Sequence, residues 1–361
     1  MSGEVAIKAA VCREFGAPLT VETLSLSPPS PRHVRVKLTA CAICHSDIIY
    51  MDGGWGGTPP IVFGHEGAGT VEAIGEGANI AVGSRVIVTL LRSCGDCTAC
   101  ARGVPSQCEG VFDDSPRLHD ADGKPVAIGL KTAAFAEQVV VHDSQIAVIP
   151  DDLPFEQACL LSCGVITGWG AVVNTACPSP GDSVAVVGCG GVGLNCLQAA
   201  AASGASPVAA IDIAESKLAI AKNFGATHGI LADDDLPRRI SEITNGRGFD
   251  YVLMAAGSAR AVEQSAPLLA KTGALILVGM APNGDLAKLN TTTIANNHQR
   301  ILGSKMGGAR LRADIPKLTA LYQNGRLKLA ELIGNCYSLQ EINDAVTESR
   351  QGGALRNIIM F

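Results

Sequence analysis

Hydrophobic positions change rhythm along the chain. Up to about residue 163 the apolar runs are short and β-branched, as in Val34–Leu38, Gly69–Ile74 and Arg85–Thr89, and Gly or Pro often interrupts them. That texture predicts a β-rich, irregular domain. From about 164 to 300 short apolar runs alternate with helical patterns. Strands are expected at Ser183–Val187, Val208–Ile211, Gly229–Leu231, Asp250–Met254, Ala274–Val278 and near Ile301–Ser304. Helices are expected at Val192–Ser203, Glu215–Phe224, Leu236–Thr244 and Ala259–Ala270. This alternation predicts a parallel sheet covered on both faces, so the fold class is α/β. The stretch from about 305 to 361 shows helical patterns at Ile315–Asn324 and Leu339–Arg350 and ends on apolar Asn357–Phe361. Periodicity alone leaves open which domain it joins. A chain of 361 residues exceeds what one core usually serves, so two domains are expected.

Composition narrows the function classes. Apolar residues make up 47% and Gly is abundant at 41, which suits many tight strand–helix turns. The net charge of −6, with no Lys/Arg run, argues against nucleic acid as a partner. No apolar stretch reaches the roughly 18 residues of a membrane span, and the first residues lack a basic-then-apolar signal pattern. A cytoplasmic protein without membrane partners is the expectation. Thirteen cysteines, an odd number partly clustered, point to metal ligands rather than a disulfide framework.

A dinucleotide site is written into the second domain. The strand Ser183–Val187 runs into Gly188-Cys-Gly190-Gly191-Val192-Gly193, and a helix follows. Gly188 permits the tight turn, Gly190 lets a pyrophosphate approach the backbone, and Gly193 allows close strand–helix packing. The helix start offers free N–H groups to phosphate. The next strand ends on Asp212, placed to accept ribose hydroxyls and to repel a 2′-phosphate, which favours NAD over NADP. Lys217 is a candidate for the ribose, with a solvated helix lysine as the competing reading.

Cys94, Cys97, Cys100 and Cys108 form C-x2-C-x2-C-x7-C, the donor set of a closed tetrahedral zinc site. An iron–sulfur cluster is the alternative, although the last spacing differs from the usual ferredoxin forms. A site with every position filled by protein is structural. Three further elements stand apart: Cys41-Ala-Ile-Cys44-His45-Ser46-Asp47, Gly64-His65-Glu66-Gly67 and Leu161-Ser-Cys163-Gly164-Val-Ile-Thr167-Gly168. Two thiolates and an imidazole from these would leave one zinc position open, but spacing alone does not assemble them. Cys41, Cys159, Cys189 and Cys196 lack partners at ligand spacing and are read as packing residues.

With these motifs the chain resembles the zinc-containing medium-chain alcohol dehydrogenases, nearest the liver-type branch. The resemblance covers essentially the whole sequence, through Gly64-His65-Glu66, the four-cysteine loop, the glycine turn and the ending Leu355–Phe361. It implies a GroES-like catalytic domain of residues 1–164 and 305–361, a Rossmann NAD-binding domain of 165–304, and an active site in the cleft between them. It implies two zinc ions per subunit, a catalytic one held by Cys44, His65 and Cys163 and a structural one held by the four-cysteine loop. The catalytic zinc would polarise the alcohol oxygen while NAD takes the hydride. Ser46 would accept the alcohol proton, Asp47 would orient His65, and Glu66 would sit behind the metal. His45 and Arg356 would contact the pyrophosphate, and Thr167 would lie near the nicotinamide.

The resemblance also sets the substrate expectation. Trp55, Leu90, Phe135 and Met280 should line the channel, which favours a hydrophobic primary alcohol or aldehyde, aliphatic or aromatic. Trp55 and Phe112 stand where the glutathione-dependent formaldehyde branch places charged groups, so that activity is the alternative. Segment Phe112–Val126 departs from the liver-type pattern and is expected to border the substrate entrance. Ile49 replaces a relay histidine found in many relatives, so the proton must leave by another route. The zinc-free quinone-reductase branch would lack the Cys44–His65–Cys163 set, and a non-catalytic nucleotide- or zinc-binding relative would not need Ser46. A homodimer or homotetramer joined near Asp285–Thr293 is expected.

Overall fold

A computed structural model describes residues 3–352 and 355–361. Contacts divide the chain into two units, 1–163 with 310–361, and 164–309.

In the second unit β-branched and small apolar residues form six parallel strands: β1 (Val184–Val187), β2 (Val208–Asp212), β3 (His228–Leu231), β4 (Phe249–Met254), β5 (Leu269–Leu277) and β6 (Arg300–Gly303). Their order is β3-β2-β1-β4-β5-β6, the doubly wound arrangement of a Rossmann fold. Strand β1 lies at its centre and is buried through Val184, Ala185 and Val186, which is why its alternation of side chains is invisible in the sequence. The helix Gly191–Ala202 follows directly. One expected helix is shorter than its pattern. Ala259–Ala270 is helical only to Ser265, then tightens into a 3-10 turn over Ala266–Leu268 before β5 begins at Leu269. Pro267 lacks the N–H that would continue the helix.

The first unit is built on two β systems. Val5–Cys12, Thr20–Leu26, Leu118–His119, Pro125–Ile128 and Ile61–Val62 close a small barrel. A second sheet runs through Ile146–Val148, Arg85–Val88, Glu66–Ile74, His33–Ala42, Ile358–Met360 and Cys336–Ser338, and Gln138–His142 also pairs with His33–Ala42. The final segment therefore belongs here: Ile358–Met360 pairs antiparallel with Ala40–Ala42. One core joins both β systems, with Phe63, Phe135, Leu24, Leu38 and Ile359 almost wholly removed from water. Segment 112–126, expected at a substrate entrance, supplies the barrel hairpin through Leu118–His119 and part of Pro125–Ile128. Among the described residues no single helix is long and apolar enough to cross a membrane.

Candidate active site and metal centres

Three segments of the first unit converge. The long strand His33–Ala42 delivers Cys44, which precedes the short helix His45–Met51. Gly64, at φ +89°, turns the chain into the strand that starts at Glu66, with His65 at the corner. A Cβ at Gly64 would come within 2.6 Å of the Phe135 backbone nitrogen, so only glycine fits this approach. Cys163 follows the 3-10 turn Cys159–Ser162. Ligand atoms of Cys44, His65, Glu66 and Cys163 all lie within 4.8 Å of one another, and all four residues are buried.

Asp47 organises this cluster. Its buried carboxylate accepts from the Cys44 backbone N–H (3.2 Å), the Gly64 N–H (3.0 Å) and His65 Nδ1 (3.0 Å). With Nδ1 committed, His65 Nε2 remains, buried and without a protein partner. An orphaned imidazole nitrogen beside two sulfurs is the arrangement a zinc ion completes. The residues present therefore fit the metal.

The local electrostatics point the same way. Burial works against a charged His65, but the Asp47 carboxylate overrides it and raises the imidazole pKa well above its usual value. A hydrogen bond with Cys163, opposed by burial and aided by Arg356, holds the Cys44 thiol well below its usual range. The same hydrogen bond and burial push the Cys163 thiol up. Thus the first thiolate forms at Cys44, and metal binding must displace the proton of Cys163. Burial drives the Glu66 carboxyl up to about 8, against the pull of Arg356. Neither Glu66 oxygen has a hydrogen-bond partner, and Arg356 Nη2 stands 3.4 Å from Oε1. Glu66, expected behind the metal, thus places an oxygen within the ligand set itself. Arg356, expected at a pyrophosphate, also donates to Cys44 Sγ at 3.7 Å.

The four-cysteine loop gathers as its spacing predicts. Cys94, Cys97, Cys100 and Cys108 bring their sulfurs within 4.8 Å of one another. Backbone N–H groups converge on these sulfurs, including Cys94 on Cys108 (3.2 Å) and Glu109 on Cys97 (3.3 Å). The N–H groups of Glu109 and Cys100 pull Cys97 down to about 6. The sequence reading missed Gly110: a Cβ there would meet the Cys94 sulfur at 2.9 Å. It also missed a buried chain of polar contacts behind the first cluster. Gln145 Nε2 donates to the Thr89 carbonyl (2.9 Å), Thr89 Oγ1 to the Ser162 carbonyl (2.6 Å), and Ser162 Oγ to the Gly67 carbonyl (2.9 Å). This chain braces the segments that carry Cys163 and Glu66.

In the second unit Gly188 adopts φ +91°. A Cβ at Gly193 would strike the Gly188 carbonyl at 1.8 Å, whereas Gly190 has nothing within 4 Å of that position. Gly191, Val192 and Gly193 open the helix. The three glycines thus differ as a pyrophosphate cradle requires: turn, open approach and tight packing. Asp212, at the end of β2, accepts from the Cys189 N–H (2.7 Å) and the Ala214 N–H (3.0 Å). Lys217 is half-buried on the next helix. Thr167 is buried and donates to Met306 Sδ at 3.5 Å.

The remaining expected residues separate. Ser46 is half-buried and His45 exposed on the helix after Cys44. Trp55 is half-buried with its ring 6.2 Å from Tyr50, and Leu90 is half-buried. Met280 is 57% exposed in the second unit. Phe135 requires a correction. Its exposure is 0% and it packs in the core behind Gly64, so it supports the His65 corner instead of lining a channel. An apolar residue in a strand-rich stretch gives no sign of which side it faces.

Known proteins are similar to this chain in sequence and fold. Residues 30–151 match the alcohol dehydrogenase GroES-like domain, and residues 191–324 match the zinc-binding dehydrogenase family. A curated relative, "Probable S-(hydroxymethyl)glutathione dehydrogenase 1" of Schizosaccharomyces pombe, is 35% identical over 98% of this chain and 97% of its own. The chain belongs to the zinc-dependent alcohol dehydrogenase family. As an alcohol dehydrogenase family member it is an oxidoreductase, with a GroES-like and a Rossmann-like unit. The crystal structure of benzyl alcohol dehydrogenase from Acinetobacter calcoaceticus superposes with a TM-score of 0.91, at 33% identity over 99% of both chains. A protein described as a zinc-binding dehydrogenase, from Sinorhizobium meliloti 1021, was solved bound to NADP. It superposes with a TM-score of 0.81 at 25% identity, over 99% of this chain and 100% of that one. Zinc and a nicotinamide cofactor are thus the groups this alcohol dehydrogenase chain is built for.

Proposed function

We propose that the chain oxidises a hydrophobic primary alcohol to its aldehyde, reversibly, with NAD. The observation that carries this reading is the buried Cys44–His65–Cys163 set with its orphaned His65 Nε2. Zinc bound there supplies Lewis acidity to an alcohol oxygen. The chain's own residues do the rest. Asp47 fixes the His65 ring and leaves Nε2 as the ligating nitrogen. Ser46, two residues past Cys44 and half-buried, takes the alcohol proton. Ile49 cannot pass that proton on, so it leaves through water, the cofactor ribose or His45. Asp212 favours NAD because its carboxylate repels a 2′-phosphate, and Ile213 beside it is 84% exposed and uncharged.

Half-buried Trp55 and Leu90 support an apolar alcohol, and so does the likeness to a benzyl alcohol dehydrogenase. The glutathione-adduct activity named for the Schizosaccharomyces pombe relative is the second reading. Initial rates of NADH appearance decide between them. Benzyl alcohol with NAD should give the highest kcat/KM, above S-hydroxymethylglutathione with NAD and above benzyl alcohol with NADP. A preference for the glutathione adduct, or for NADP, overturns the corresponding half of the proposal.

A further inference from the structure

A cavity of about 550 Å³ opens in the first unit; no metal-ligand candidate or dinucleotide residue lines it, and of the brace behind Cys163 only Gln145 reaches it. Its volume falls in the range of about 300–1,000 Å³ typical of small-molecule sites. Pro60, Val126 and Ile128 contribute an apolar side. Arg92, Arg117, His33 and His142 contribute a polar one. These four are built into a continuous stack. The Arg92 guanidinium lies 4.8 Å from the Phe112 ring centroid, Phe112 meets His142 edge-on at 5.0 Å, and His142 meets His33 at 5.4 Å. His33 Nε2 lies 2.9 Å from Arg117 Nη2. His33 Nδ1 faces the Pro31 carbonyl at 2.9 Å and donates to it, so Nε2 accepts from Arg117 and the ring is neutral. Burial lowers the pKa of both imidazoles. The polar side therefore carries the charge of two guanidiniums whose side chains are only 7% and 6% exposed, and the exposed Lys131 also lines the cavity.

Two adjacent acids balance that charge, and they differ. Asp113 is exposed but tied down by several partners, with bonds from Arg117 (2.9 Å), Ser30 (3.1 Å) and the Ser115 N–H (3.0 Å). Asp114 meets Arg92 Nη1 at 2.5 Å, yet its own side chain is 71% exposed. An ion pair whose acid is mostly solvated is weak. Arg92 Nε is buried with no partner. The planar Arg92 fork thus lies over Phe112 but is used only in part, by an acid that is mostly in water. A fork of this kind suits a carboxylate better than a compact ion.

We propose that this cavity binds a carboxylate-bearing organic molecule. Its carboxylate takes the place of Asp114 on Arg92, and its hydrocarbon body lies along Pro60, Val126 and Ile128.

The test uses the full-length, zinc-loaded enzyme, with benzoate and its uncharged analogue benzamide as probes and sodium chloride matching the ionic strength. Calorimetry should show benzoate binding with benzamide at least tenfold weaker. Asp114→Asn removes the internal competitor from an exposed position and should tighten benzoate binding by about fivefold. Arg92→Met should abolish it. Because Arg92→Met removes a packed side chain, Asp114→Asn is the deciding variant. Equal binding of benzoate and benzamide, or an Asp114→Asn affinity equal to that of the unsubstituted enzyme, overturns the proposal.

Discussion

Asp47→Asn probes how the metal centre is held. The buried carboxylate takes three donors: Oδ1 receives Gly64 N–H and His65 Nδ1–H, and Oδ2 receives the Cys44 N–H. An asparagine that keeps its oxygen toward Gly64 and His65 must turn its amide toward the Cys44 N–H, donor against donor. Turned the other way, it loses both remaining bonds. The cost is at least one charge-assisted hydrogen bond, about 1.5–3 kcal/mol. Expressed in the metal site, that is a loss of roughly 10- to 100-fold in zinc affinity, the usual effect of removing a group that orients a ligating histidine. Competition with a chromophoric chelator at neutral pH measures it. Asp52→Asn serves as the control, since Asp52 is exposed and pairs with Arg350 on the surface. Asp47→Asn should release zinc at chelator concentrations that Asp52→Asn withstands. A folded Asp47→Asn variant with unchanged zinc affinity would refute the reasoning.

Three other substitutions follow from the same structure. Glu66 titrates near 8 when folded and near 4.3 when unfolded, so the native chain binds the extra proton. Its contribution is present in full below the unfolded value and is lost as pH rises through 8. Metal-free protein should therefore lose stability relative to Glu66→Gln between about pH 5 and pH 8, read as the gap between urea midpoints; a constant gap contradicts this. Asp212→Ala should raise the KM for NAD by roughly 10- to 100-fold, the loss of charge-assisted bonds to ribose, and shift preference toward NADP. An unchanged NAD/NADP ratio counts against its selecting role. Thr89→Val leaves the buried Ser162 carbonyl without its donor and should cost about 1–3 kcal/mol in denaturant unfolding; a neutral effect removes Thr89 from the brace behind Cys163.

Much of this architecture was legible in the sequence because the physics behind it is local. The glycine turn needs its residues at fixed spacing. So does the four-cysteine loop, whose sulfurs gather within one short segment. Asp47 lies three residues from Cys44, within reach of its N–H. The three-residue zinc set was different: Cys44, His65 and Cys163 are far apart, and only resemblance joined them. What stayed hidden depends on long-range packing. Thr89 reaches Ser162 across 73 positions, and no periodicity announces that bond. Gly110 is required by a neighbouring sulfur, not by its own turn. Phe135 reads like any apolar residue beside a site until its core partners are known. The helix over 259–270 was overextended because its apolar spacing continued past Pro267, where the backbone could not.

The claim that Cys44, His65 and Cys163 form the catalytic metal centre is tested most directly by Cys163→Ser. Zinc per chain is measured by elemental analysis, and NADH formation is measured with benzyl alcohol and NAD. The unsubstituted protein should hold two zinc ions and form NADH. The variant should keep the ion of the four-cysteine loop, lose the other, and form no NADH. A variant that retains both ions with full activity, or an unsubstituted protein whose NADH formation survives removal of all zinc, would contradict it.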